Sequence, residues 1–146
     1  MPTTQELLER YRAVMPSFVK PLYETPISID HGEGGYVWDL EGNQYLDFFG
    51  GILTTMIGHS VPEVGAAVQE QAAKVMHTST LYLNEQVVAF AEEVAAASGI
   101  PDARVLFTTS GSEANDTAIL IATNYRQSNQ VLAMRNSYHG RSLTAQ

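Results

Sequence analysis

The chain has 146 residues, no cysteine and a formal net charge of −8, with 45% of its residues hydrophobic and 16% charged. This composition is typical of a folded globular protein, and it excludes disulfides, thiolate nucleophiles and cysteine-ligated metals. The eight basic residues are scattered along the chain, so we expect no nucleic-acid partner, because phosphate backbones are bound by clustered lysines and arginines.

Membrane and metal sites are not expected either. No apolar run approaches the ~20 residues of a membrane helix, and the amino terminus lacks the basic-then-apolar pattern of a secretory signal. The four histidines show no metal-ligand spacing. We therefore expect a cytoplasmic protein without a metal.

The chain begins with signals for a helix. Thr3 and Glu6 have the spacing of a capping box, and Pro16 predicts the end of the helix that follows. Residues 26–29 are then predicted to be a short extended stretch, and the glycine-rich residues 31–35 a turn.

A hairpin and a second helix are predicted next. Two aromatic-rich runs within residues 36–48 flank a turn at 41–43, which is typical of a β-hairpin. After a glycine-bracketed loop, Ser60 and Glu63 have the spacing of a second capping box, which predicts that a helix with an apolar face begins there.

The remainder predicts a helix followed by a βαβ unit. The third helix is expected to start near Asn84 and to stop at Gly99. Residues 104–108 and 130–134 are apolar enough for strands, and 113–125 lie between them as a helix. This order implies a parallel sheet and an α/β fold, and one such unit is too little for a complete sheet.

The sequence Ser110-Gly111-Ser112-Glu113 lies between the first of these strands and its helix. Helix amino termini carry unpaired N–H groups and partial positive charge, and a glycine lets a phosphate approach the backbone. A serine N-cap after a glycine turn is the alternative interpretation. The position at the carboxyl end of a strand favours a ligand site, and both interpretations stay open.

Tyr138-His139-Gly140 follows the next strand and is predicted to lie at the same edge of the sheet. The tyrosine ring can lie flat on a planar cofactor, and the histidine can form a hydrogen bond beside it. Alone, the pair is better explained as a partly buried tyrosine and a satisfied histidine. A phosphate loop and an aromatic side chain after two neighbouring strands together fit a phosphorylated aromatic cofactor.

These residues resemble the class III aminotransferases, which use pyridoxal 5′-phosphate (PLP). The similarity covers nearly the whole chain after the first helix, in order and spacing. The matching stretches are Phe107 to Asp116, the hairpin pattern from Trp38 to Phe48, Gly50-Gly51-Ile52, Gly58-His59-x-x-Pro62-Glu63-Val64 and Tyr138-His139-Gly140.

The resemblance implies a PLP-dependent transferase fold of type I. Residues 1–60 would be the amino-terminal helix and hairpin of the small domain, and residues 61–146 the start of the large, parallel-sheet domain. The cofactor-binding residues that it implies are Ser110, Gly111 and Ser112 at the phosphate, and Tyr138 with His139 at the pyridine ring.

The resemblance also implies substrate contacts and partners. Ile52 falls where the family's amino-terminal segment borders the substrate pocket, and Tyr82 would face that pocket near a homodimer interface. The implied reaction moves an amino group from an amino acid or ω-amine to a 2-oxo acid such as pyruvate or glyoxylate. The stretches around Ile52 and Tyr138 look most similar to alanine–glyoxylate and other pyruvate-linked members.

The family's Schiff-base lysine and the aspartate that pairs with the pyridine nitrogen are expected beyond residue 146. The chain has two lysines, Lys20 and Lys74, and neither matches that role. We therefore expect an amino-terminal fragment that is inactive alone, whereas the intact protein is an aminotransferase. A PLP mutase, racemase or decarboxylase remains an alternative, as does a non-catalytic module that binds a phosphorylated ligand.

Overall fold

A computed structural model describes residues 2–145 of the chain. The chain divides into two compact units, the first ending at His77 and the second beginning at Thr78. The elements, in chain order, are α1 (Thr4–Val14), β1 (Ile29–Glu33), β2 (Tyr36–Asp39), β3 (Gln44–Leu46), α2 (Pro62–Lys74), α3 (Glu85–Ser98) and α4 (Gly111–Arg126).

The start of α1 is fixed by the predicted capping box. The Thr3 hydroxyl accepts from the Glu6 amide at 3.2 Å, and the Glu6 carboxylate accepts from the Thr3 amide at 2.8 Å. The next residue, Thr4, donates its amide and its hydroxyl to Glu41, each at 2.8 Å, which joins the helix to the hairpin turn. Both predicted boundaries are confirmed, because the helix ends at Val14, two residues before Pro16.

The sheet of the first unit is an antiparallel meander in the order β1-β2-β3. The predicted hairpin is confirmed as β2 and β3. The predicted turn at 31–35 was wrong in extent, because residues up to Glu33 belong to β1 and only two residues connect β1 to β2. One of them, Gly34, has φ +54°, a conformation that suits glycine in such a tight connection.

A buried carboxylate organises the hairpin turn. Asp39 accepts from the Asn43 amide at 2.7 Å, the Asn43 side chain at 2.9 Å and the Tyr45 hydroxyl at 2.8 Å. Burial acts to raise the pKa of Asp39, but these hydrogen bonds outweigh it and hold the pKa below its ordinary value. Val37 supplies the buried apolar side chain of the same strand.

The second predicted capping box was wrong. Ser60 does not cap α2; it has φ +54° and donates its hydroxyl to the Gly32 carbonyl at 2.6 Å. The N-cap is Val61, which makes no side-chain cap bond, and Pro62 occupies the first turn. The serine is held by the neighbouring strand because His59 and Gly34 form a β-bridge that fixes the chain just before it.

The helices of the second unit confirm the sequence signals. Asn84 caps α3 by accepting from the amides of Gln86 and Val87, and Gly99 ends the helix in a left-handed conformation at φ +66°. The fourth helix starts at Gly111, two residues before the predicted start.

The two predicted strands of the βαβ unit take no strand pairing within residues 2–145. A strand is stabilised by ladder bonds to a neighbour, and no described segment supplies one to residues 104–108 or 130–134. Their apolar side chains remain largely exposed, as Leu106 and Leu132 illustrate. An apolar pattern therefore marks the capacity to form a strand, which needs a partner to be realised.

Two absences hold for the part of the chain that the structure describes. None of its helices has both the length and the apolar character needed to cross a membrane. No group of three or more histidine or carboxylate side chains is placed to hold a metal ion.

The depressed pKa of Asp39 predicts how the first unit responds to acid. Because the folded pKa lies below the unfolded value of about 3.9, the carboxylate stabilises the fold above that value, and its contribution is lost as the pH falls through the folded pKa. We expect the melting temperature to drop below about pH 4, and Asp39→Asn to lower it at neutral pH and flatten its acid dependence. Melting followed by circular dichroism checks this.

The matched control is Glu33→Gln, which removes an exposed carboxylate from the neighbouring strand. It should leave both the melting temperature and its pH profile unchanged. An Asp39→Asn protein with the parent profile would show that the hairpin turn does not depend on the charged form.

Candidate functional site

The loop that begins α4 is held by three polar side chains. Ser110 is the N-cap, and its hydroxyl accepts from the Glu113 amide at 3.2 Å. The Glu113 carboxylate reaches back to the Thr109 amide at 2.8 Å and to the Thr109 hydroxyl at 2.5 Å. Both bonds lower the pKa of Glu113, and the bond from the Thr109 hydroxyl has the larger effect. The negative charge of Glu113 is therefore retained in the first turn.

The same turn leaves two amides free. The first bond within the helix runs from the Ala114 amide to the Ser110 carbonyl, and the amides of Gly111 and Ser112 have no acceptor within residues 2–145. Such amides, with the partial positive charge of a helix amino terminus, are donors for an anion. The N-cap interpretation and the anion-site interpretation are therefore compatible, because the cap uses the Glu113 amide.

Gly111 is not required by the fold around it. A Cβ built at this position meets no atom within 4 Å, and its φ is not in the left-handed region. The glycine leaves open space beside the free amides. This is the arrangement that a phosphate group needs to approach a backbone closely.

Gly140, in contrast, is required by its surroundings. It has φ +135°, and a Cβ there would lie 2.6 Å from the Ser112 hydroxyl oxygen and 3.1 Å from the Ala145 Cβ. The Ser112 hydroxyl also accepts from the Arg141 amide at 3.2 Å. The loop after residue 137 thus packs directly on the first turn of α4. The two loops are neighbours, as the sequence predicted, although the strands predicted to bring them to one sheet edge are not paired within residues 2–145.

Tyr138 and His139 lie in this loop. The Tyr138 side chain is 77% exposed, so an aromatic ring is available to a ligand two residues before the packed glycine. The Nε2 atom of His139 is buried and has no hydrogen-bond partner among the described residues. A buried ring nitrogen of this kind is normally satisfied by water, a ligand or another part of the protein.

Two residues of the site were missed by sequence reasoning. Asn115 donates its side-chain N–H to the His139 carbonyl at 2.6 Å, and Asp116 accepts from the hydroxyls of Ser142, at 2.7 Å, and Thr144. The Thr144 bond, followed by that of Ser142, lowers the pKa of Asp116. Their spacing from Ser112, at i+3 and i+4 on a helix, was the signal that these side chains share a face.

The two predicted substrate residues, Ile52 and Tyr82, take no part in these contacts. Ile52 belongs to the first unit, where it is 77% exposed and has φ +55°. Tyr82 belongs to the second unit and is exposed in the segment before α3. The Tyr82 ring has no aromatic stacking partner within residues 2–145.

The loop that carries Ile52 is closed at both ends by Asp47. One carboxylate oxygen accepts from the amides of Phe49 and Gly50, at 2.8 and 3.0 Å, and the other accepts from the His59 ring at 2.7 Å. These bonds lower the pKa of Asp47. The bond from the Gly50 amide has the largest effect, followed by those from the His59 ring and the Phe49 amide. The His59 ring therefore helps to hold the closed loop.

Comparison with known proteins identifies the family. Residues 19–145 match the model of the family described as aminotransferase class-III. The chain belongs to this family. The resemblance inferred from the motifs is therefore confirmed, and so is the PLP-transferase fold, which the solved relatives share.

Two relatives illustrate the range of the family. The acetylornithine aminotransferase of Methanothermobacter thermautotrophicus is 38% identical over 141 residues, which are 96% of this chain and 35% of that protein. The mitochondrial alanine–glyoxylate aminotransferase 2 of Homo sapiens is 34% identical over 134 residues, which are 92% of this chain and 26% of that protein. This class III aminotransferase chain thus spans about a third of their length or less.

A solved structure supports the same assignment. The taurine:2-oxoglutarate aminotransferase of Bifidobacterium kashiwanohense, in complex with PLP and glutamate, has a TM-score of 0.84 and is 28% identical. The match covers 99% of this chain and 33% of that one. The fold of the present chain therefore corresponds to about a third of that enzyme.

The packing at Gly140 generates a second prediction. Gly140→Ala should destabilise the second unit by about 1–3 kcal/mol from backbone strain, and by more because the methyl group collides with Ser112. Gly99→Ala is the matched control, since it has φ +66° but meets no atom within 4 Å. Urea unfolding should rank Gly140→Ala as the costlier change; equal costs would mean that the loop does not pack on α4.

Proposed function

We propose that this chain forms the cofactor-phosphate site of a PLP-dependent aminotransferase. The observation that carries the proposal is the pair of free amides at Gly111 and Ser112, beside a glycine that the local fold does not need. Membership of the class III family supports the same cofactor. Bound PLP supplies an electron sink for the substrate carbon that loses its proton.

Different residues of the second unit are proposed to bind the phosphate and the ring of this cofactor. Gly111 and Ser112 donate their amides to the phosphate, and the Ser110 and Ser112 hydroxyl protons are further donors. Tyr138 offers its exposed ring as a platform for the pyridine ring, and the buried His139 Nε2 is a polar partner beside it. The helix dipole of α4 favours the negative phosphate.

The proposed reaction moves an amino group from an amino acid or ω-amine to a 2-oxo acid such as pyruvate or glyoxylate. The alanine–glyoxylate relative supports this acceptor class, and the acetylornithine relative supports an ω-amine donor. Residues 1–60 would contribute to the small domain and 61–146 to the large domain of a homodimeric enzyme. Ile52 and Tyr82 are the proposed substrate contacts.

Neither lysine of the chain lies in a segment that resembles the family's Schiff-base lysine segment. Lys74 lies on α2 in the first unit and is paired with Glu70 at 2.6 Å, and Lys20 follows α1 in the same unit. We therefore propose that the chain, as a separate 146-residue polypeptide, does not turn over an amino donor. Activity of that polypeptide would contradict this part of the proposal.

A glycine substitution tests the phosphate site. Gly111→Ala adds a methyl group beside the free amides, so we expect the affinity for PLP to fall about tenfold or more, as for loss of a hydrogen bond to a charged group. The affinity for pyridoxal, which has no phosphate, should not change. Absorbance titration of the full-length protein with each ligand measures both affinities.

Gly65→Ala is the matched control, because Gly65 is also a helical glycine whose Cβ would meet no atom within 4 Å. It should leave both affinities unchanged. If Gly111→Ala binds PLP as the parent does, the first turn of α4 is not the phosphate site.

The reaction type is tested separately on the full protein loaded with PLP. A transaminase converts the bound cofactor to its amine form when L-alanine is added, and glyoxylate or pyruvate restores the aldehyde form; both changes are visible in the absorption spectrum. Release of carbon dioxide or racemised alanine, without the amine form, would assign the alternative decarboxylase or racemase chemistry.

A further inference from the structure

The loop of residues 138–145, which carries Tyr138, has little backbone hydrogen bonding of its own. Its backbone makes a single hydrogen bond to another backbone group within the described residues, from the Ala145 amide to the Ser142 carbonyl at 3.3 Å. Left-handed conformations occur at Asn136 and Gly140, on either side of Tyr138. A segment of this kind needs outside contacts to hold one conformation.

The outside contacts come from one face of α4. We call tether the set of bonds that Ser112, Asn115 and Asp116 make with loop 138–145. The Ser112 hydroxyl accepts from the Arg141 amide at 3.2 Å, and the Asn115 side chain donates to the His139 carbonyl at 2.6 Å. Asp116 accepts from two hydroxyls, and its bond with Ser142, 2.7 Å long, is partly buried.

The tether residues lie on the helix that begins with the proposed phosphate site. Ser112 is in that first turn, and Asn115 and Asp116 follow at one-turn spacing on the same face. The helix α4 therefore carries the free amides and also holds the loop that bears the tyrosine ring. Each of these bonds joins two groups of the protein, one on α4 and one in the loop.

We propose that Asn115 and Asp116 are positioning residues, which hold Tyr138 as a preformed ring platform through the tether. The inference rests on the proposed function for the identity of the ligand, although the tether is observed independently of it. Holding the loop in advance lowers the conformational entropy that cofactor binding must otherwise remove. Loss of the tether should therefore weaken the binding of the cofactor's ring and leave the binding of its phosphate unchanged.

Four variants of the full protein separate the tether from general stability. Asn115→Asp keeps the side-chain shape but removes the donor to the His139 carbonyl, and Asp116→Ala removes the acceptor of both hydroxyls. Asp116→Asn is the rescue, because its amide oxygen can still accept both hydroxyl protons. Asn124→Asp is the control, since within residues 2–145 the Asn124 side chain bonds only to the Leu120 carbonyl of α4, at 2.8 Å.

Hydrogen exchange without ligand is the first measurement. The amides of Arg141 and Ala145 are bonded in the tethered loop, so their exchange should be about tenfold faster in Asn115→Asp and Asp116→Ala, as for loss of a charged or strong hydrogen bond. Asp116→Asn and Asn124→Asp should exchange as the parent does. Unchanged exchange in both disrupting variants overturns the proposal.

Ligand affinity is the second measurement, made by absorbance titration with PLP and with pyridoxal. Loss of the tether should weaken both ligands by the same factor, whereas Gly111→Ala weakens PLP alone. A loss confined to PLP in Asn115→Asp and Asp116→Ala, or failure of Asp116→Asn to restore affinity, overturns the positioning role. If the parent binds neither ligand, the proposed function fails, and the exchange comparison still decides whether the tether orders the loop.

Discussion

A helix leaves its first amides without partners inside the helix, and the site of this chain depends on how α4 meets that constraint. The side chain of Ser110 satisfies the Glu113 amide, and the amides of Gly111 and Ser112 stay free. A cap that satisfied every donor would leave nothing for an anion. The partial satisfaction therefore lets one turn serve as a helix start and as the phosphate site that we propose.

In the first unit, hydrogen-bonded carboxylates fix the conformation of a turn and a loop. Asp39 gathers the hairpin turn, and Asp47 closes both ends of the loop that carries Ile52. In each case an ionised oxygen accepts several donors that are close in sequence, and the bonds to charged groups are the stronger ones. The few buried side chains of this unit leave much of its local order to these bonds.

The sequence predicted the local elements well where the signal is local. The Thr3 cap, the hairpin, the Asn84 cap and the Gly99 stop all depend on residues within a few positions of each other, and all are present. The Ser60 cap had the same local signal and was wrong, because the serine bonds to a carbonyl 28 positions earlier. A short sequence pattern cannot indicate that a distant carbonyl will compete with the helix for the serine hydroxyl.

The sequence by itself determined the family, the candidate cofactor loops and the boundaries of α1 and α3, because each depends on residue types at short, fixed spacing. Only the tertiary structure decided that Asn115 and Asp116 hold a loop 24 to 28 positions away, or that Gly140 packs on Ser112. It also decided that residues 104–108 take no strand pairing here. The reason is that contacts between distant segments depend on where the chain folds back, and composition and periodicity do not specify that.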